Sequence, residues 1–246
     1  MKKASLLCVA LLAVSASVAS AGGLNLNWSS CLGDGVSNPN RVFLCTTNLG
    51  SNVMVASFIP TQTSTTVNGN EIVIDLQASS ANFPDWWAFK NAGTCRSTAM
   101  SVNSSYSPPA IPVCIDEFAA QATAGVGAYN IGFGGANRAR LTIAEAVPAA
   151  AVASVDPTGE YFSINVSITN AKTAGLTPCT GCSTPVCIVL NSIKITAGGG
   201  PKDELIGNAA VRNSVTWQGG AIGGSGCPAA VPTHNTTWGA VKSLYR

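Results

Sequence analysis

Phe162-Ser163-Ile164-Asn165-Val166-Ser167-Ile168-Thr169 alternates apolar and polar residues without a break. Successive side chains of a strand point to opposite faces. The spacing therefore predicts a half-buried strand, with Phe162, Ile164, Val166 and Ile168 on the core face and Ser163 facing out. The same period recurs elsewhere. Leu24, Leu26 and Trp28 alternate with Asn25 and Asn27; Ile72, Ile74 and Leu76 with Glu71, Val73 and Asp75; Ala139, Leu141 and Ile143 with Arg138, Arg140 and Thr142. Val42–Cys45 and Val53–Ile59 read as short strands, Cys187–Ile195 as a longer central one, and Val215 with Trp217 as a late one. Asn68-Gly69 reads as a turn before the strand at Ile72.

Strands rich in β-branched residues and joined by Gly, Pro and Asn predict an all-β fold: an antiparallel β-sandwich, jelly-roll-like and disulfide-stabilised. One or two short helices are expected beside it. One begins at Cys114, with Ile115, Phe118, Ala119 and Ala122 on a common face; the other closes the chain with Trp238, Val241 and Tyr245. The carboxylates Asp116 and Glu117 suit the start of the first, through the helix dipole. Gly125 to Gly135 reads as a Gly-rich loop, and residues 146–155 as a buried crossover.

The first residues carry an export pattern. Lys2 and Lys3 precede an apolar stretch from Leu6 to Val14, and Ala19-Ser20-Ala21 forms an A-x-A cleavage site. Residues 1–21 are thus expected to be a cleaved signal peptide, and 22–246 one β-sandwich domain. The product is expected in the periplasm or outside the cell, with no membrane insertion after cleavage. Cleavage removes Cys8 and leaves an even set: Cys31, Cys45, Cys95, Cys114, Cys179, Cys182, Cys187 and Cys227. In an oxidising compartment that set reads as four disulfides. Many pairings are possible. Neighbourhood favours Cys31 with Cys45 and Cys95 with Cys114. The last four then pair among themselves, with Cys227 tied back to the 179–187 loop.

Cys179-Thr-Gly-Cys182 also admits a redox dithiol or, with Cys187 and Cys227, a zinc site. The first lacks its βαβ setting, and an oxidised exported chain disfavours the second. No metal or cofactor is expected. Without Lys2 and Lys3, basic and acidic side chains balance at eleven each, so there is no electrostatic footprint for nucleic acid. Asp34, Asp75, Asp85, Asp116, Glu117, Asp156 and Glu160 show no spacing that marks a glycosidase pair. His234, the only histidine, has no G-x-S-x-G elbow to serve, so no catalytic residue is assigned. Asn27, Asn103, Asn165 and Asn235 stand in N-x-S/T sequons.

Asp85-Trp86-Trp87 is the candidate ligand site. An indole face stacks on a sugar ring, and a neighbouring carboxylate holds hydroxyls. Strand alternation puts one Trp outside and the other in the core. Three readings follow. The leading one is a secreted or cell-surface, non-enzymatic structural or interaction protein, whose partner is an extracellular glycan or a surface protein. The second is a carbohydrate-binding module using Trp86 or Trp87. The third is a secreted hydrolase with an unrecognised site.

Asp85-Trp86-Trp87-Ala-Phe89, Asn137-Arg138-Ala-Arg140, Pro185-Val-Cys187-Ile-Val-Leu-Asn-Ser-Ile193, Val215-Thr-Trp217-Gln-Gly-Gly220 and the ending Thr237-Trp238-Gly-Ala-Val-Lys-Ser-Leu-Tyr-Arg246 occur together. In these phrases the chain resembles a group of secreted bacterial proteins of similar length and unknown function. The resemblance implies export and one compact unit. It carries no activity, cofactor or site residue.

Overall fold

A computed structural model describes residues 22–34, 39–107, 114–198, 203–219 and 227. The expected export segment, the expected closing helix, His234 and the Asn235 sequon lie outside them. Thirteen strands are described: β1 Gly23–Trp28, β2 Asn40–Arg41, β3 Ser51–Ile59, β4 Ser64–Ala78, β5 Met100–Asn103, β6 Cys114–Ile115, β7 Thr123–Ile131, β8 Arg138–Ala146, β9 Ala153–Val155, β10 Glu160–Thr169, β11 Val186–Ala197, β12 Glu204–Ile206 and β13 Ser214–Trp217. The fold is all-β. Five strands form one sheet in the order β1-β3-β10-β5, with β6 beside β10. Eight form the other, ordered β2-β13-β11-β4-β8-β7, with β12 on β11 and β9 on β4. Among the named strand pairs, β6–β10 and β2–β13 are parallel and the rest antiparallel.

The sheets stack as a sandwich on their apolar faces. Leu24, Leu26, Met54, Phe58, Ile164, Val166 and Ile168 come from one sheet; Ile72, Ile74, Leu76, Leu141, Ile143, Ile188 and Leu190 come from the other. The alternation read at β4 and β8 is the observed one. In β1 the polar positions are buried too, because residues 208–213 lie alongside. Asn25 Oδ1 accepts from the amides of Val211 (3.0 Å) and Arg212 (3.3 Å).

β10 departs from strict alternation. Its register against β3 shifts between Phe162 and Ile164, a β-bulge at Ser163. The extra residue sends Phe162 to the outer face of the five-stranded sheet, where it packs with Val55, Cys31 and Cys114. Tyr161 takes the core position in its place. Ser163, expected outside, is buried, and its Oγ has no partner among the described residues.

Other segments differ from expectation for local reasons. Asn68-Gly69 is not a turn: β4 runs through it with a bulge against β11. A Cβ on Gly69 would stand 2.3 Å from the Glu145 carbonyl oxygen, so the glycine permits β8 to approach. Val42–Cys45 alternates inward and outward but is not a strand. The Gln218 side chain replaces a neighbouring strand: its Oε1 accepts from Phe43 N (3.1 Å) and its Nε2 donates to Phe43 O (3.1 Å). No helix follows Cys114. The Asp116 carboxylate accepts from the amides of Phe118 and Ala120, and Ala119 and Ala120 take positive φ (48° and 62°), closing a turn. Gly125 and Gly127 belong to β7, and the loop is confined to residues 132–137. In the expected crossover, Pro148–Ala150 and Val152 are exposed and only Ala153 and Val155 of β9 are buried.

The eight cysteines among the described residues are all paired: Cys31–Cys114, Cys45–Cys182, Cys95–Cys179 and Cys187–Cys227. Of the expected pairings, only the return of Cys227 to the 179–187 loop holds. Sequence distance misleads here because sheet order, not chain order, sets which loops are neighbours. Four disulfides fit a non-cytoplasmic protein. Among the described residues no helix is long and apolar enough to cross a membrane.

Candidate functional site

Trp86 and Trp87 do not form a ligand platform: both are fully buried. They lie on a 3-10 turn, Asp85–Trp87, and not on a strand. In such a turn, successive side chains step by a third of a circle, so two neighbours can both reach a core. Trp86 Nε1 donates to Thr173 Oγ1 (2.9 Å). Both indoles meet Trp217, with ring centres 4.8 and 5.3 Å away. Arg96 is enclosed with them. Its guanidinium lies 3.5 Å from the centre of the Trp86 ring and donates to Trp86 O (2.8 Å) and to Thr169 O. Desolvation lowers its pKa to about 10. Cys45–Cys182 and Cys95–Cys179 close the loops around this cluster. Asp85 remains exposed at its edge with no indole to work beside.

The concave feature lies elsewhere. An open groove of about 360 Å³ runs over the outer face of the five-stranded sheet. Val53 and Val55 of β3 form its apolar floor, and Asn165 of β10 stands next to Val55 in register. Ser29, Arg41 and Tyr106 contribute to its walls. Tyr106 is held twice: its ring stacks on Phe162 (5.0 Å, 27°) and its hydroxyl donates to Asp34 Oδ2 (2.8 Å). Burial and the Asp34 carboxylate hold this phenol above its usual pKa range. The Ser163 bulge thus has a local use, since it puts Phe162 beneath Tyr106. Ser29 has positive φ (72°), and its Oγ accepts from Arg41 Nη1 (2.9 Å). Behind the wall, the Glu160 carboxylate accepts from Asn25 Nδ2 (3.0 Å), Ser57 Oγ (2.5 Å) and Gly33 N (2.9 Å).

A second polar cluster is enclosed. Glu145 occupies the last inward position of β8, and Asn70 Nδ2 donates to its Oε2 (2.7 Å) and to Glu117 Oε1 (3.4 Å). Glu117 Oε2 and Asn70 Oδ1 have no partner among the described residues. Burial raises the Glu145 carboxyl to about 8 and Glu117 well above its ordinary range, each in the field of other carboxylates. Two acceptors without donors suit a carboxyl that keeps its proton.

Of the eleven acidic residues, these two come together although nothing in their spacing shows it. Arg41 and Tyr106 were likewise invisible in the sequence. They are far apart along the chain and share no motif; β2 and the Cys31–Cys114 bond bring their segments to one sheet face. The only local signal was the polar outer side of the Ile164–Ile168 alternation, which includes Asn165. No family model matches the chain, and no curated protein matches it significantly.

Proposed function

We propose that this chain is an extracytoplasmic, non-enzymatic interaction protein, secreted or held at the cell surface, that binds its ligand in the groove over β3 and β10. The observation that carries the reading is the Tyr106 wall. Its ring is stacked on Phe162 and its hydroxyl is bonded to Asp34, so the protein itself fixes the side chain and little ordering remains to be done on binding. The volume lies within the ~300–1,000 Å³ of small-ligand sites. The export pattern and the four disulfides support the location.

The test uses the isotopically labelled exported protein and a panel of soluble cell-surface polysaccharides and peptides. Amide shifts confined to Ser29, Val53, Val55, Tyr106 and Asn165 are expected with at least one ligand. Tyr106→Ala should remove them while amide signals away from the groove keep the positions of the folded parent. Shifts centred on another face would overturn the groove as the site. Ligand cleavage during the titration would favour the hydrolase reading.

A further inference from the structure

We infer that the groove recognises a carboxylate-bearing saccharide, with Arg41 as the anchor for its carboxylate; this rests on the binding role proposed for the groove. Arg41 is half-buried at the end of β2. It donates to Ser29 Oγ, and its guanidinium lies 5.1 Å from the Phe43 ring centre. It makes no ion pair among the described residues. All eleven Asp and Glu residues of the chain fall within those residues, so no side-chain carboxylate serves it. Arg140, by contrast, is fixed by Asp75 through two hydrogen bonds of 2.7 Å. A partly desolvated guanidinium in a concave site, with donors to spare, matches a planar carboxylate from outside.

The rest of the groove narrows the class. β3 is paired on both sides by β1 and β10, and β10 by β3 and β5. Their backbone groups are spent, so an added peptide strand has no ladder to join. Recognition falls to side chains. Ser29 and Ser107 offer hydroxyls. Asn165 uses its Nδ2 on Ser105 O (2.9 Å), which leaves Oδ1 as an acceptor without a partner among the described residues. Tyr106 and the valine floor supply apolar surface for the carbon face of a ring. Hydroxyls, one carboxylate and an apolar ring face together describe an acidic sugar.

Calorimetric titration of the exported protein tests this. The probes are oligomers of galacturonate, glucuronate and mannuronate, their carboxyl-reduced neutral counterparts, acetate, phosphate and an oligoglutamate peptide. At least one acidic oligomer should bind tenfold or more tightly than its neutral counterpart, and more weakly as salt is added. Arg41→Gln should bring it to the neutral level at unchanged melting temperature, and Arg41→Lys should keep part of the difference. Equal binding of acidic and neutral oligomers, indifferent to Arg41→Gln, overturns the acidic class while the binding role of the groove stands. Tighter binding of oligoglutamate, or equal binding of acetate or phosphate, overturns the saccharide. If no probe binds the groove, this inference falls, while the groove's wider binding role still rests on its own panel.

Discussion

Glu145 and Glu117 make the folded state prefer a proton. In the unfolded chain a glutamate releases it near 4.5, whereas Glu145 holds it to about 8. Between those values the native state binds more protons than the unfolded one. Stability is therefore greatest at the acid end of the window and falls as pH rises through it, by up to about 1.4 kcal/mol per unit for each titrating group. This is the reverse of a salt-bridged carboxylate. Melting temperature measured from pH 5 to 9 should fall as pH rises toward 8. Glu145→Gln should flatten the profile and melt above the parent at pH 8.5. A parent profile that rises across pH 5–8 would mean an ionised, solvated pair. Arg96 shows the opposite economy: a buried cation with carbonyls and ring faces in place of a counter-ion. Neither arrangement was legible in the sequence, because burial, not residue type, creates both.

At the scale of the element, alternation located β4, β8, β10, β11 and β13 but did not reveal where the count slips. A bulge adds one residue without changing the polar-apolar pattern around it. Tyr161-Phe162-Ser163-Ile164 reads equally well with Phe162 or Tyr161 inward. The structure takes the second, with consequences for substitution. Phe162→Ala should cost roughly 3–5 kcal/mol, as for a buried aromatic, and should also loosen Tyr106. Ser163→Ala should be neutral or slightly stabilising, because it removes a buried hydroxyl without a partner. Urea denaturation of both variants checks this. A loss at Ser163 comparable to that at Phe162 would show that the hydroxyl is bonded. Trp86 and Trp87 misled for a related reason. Strand period predicts one indole outside, whereas the 3-10 turn at Asp85–Trp87 carries both inward.

The whole molecule is a sandwich whose loops are cross-linked between distant parts of the chain. No free thiol should be detectable in the denatured, unreduced exported protein, and reduction should add about eight mass units. Replacing Cys45 and Cys182 together by Ala should cost about 2–5 kcal/mol, for the bond closes 137 residues of sequence separation. Two reactive thiols in the parent would remove that framework.

The connectivity also constrains how the protein is made. The shortest of the four bonds spans 40 residues, and the others span 83, 84 and 137. A chain entering an oxidising compartment N-terminus first presents Cys31 and Cys45 together long before either native partner arrives. Their mutual bond closes the smaller loop and so forms the more readily. The pairing that proximity favours is thus the expected kinetic competitor of the final one, and thiol exchange is predicted to be needed to undo it. Pulse-labelling with alkylation during export should capture a transient Cys31–Cys45 species that persists when a disulfide isomerase is removed. Direct appearance of Cys31–Cys114, with no such species, would mean that folding outpaces oxidation.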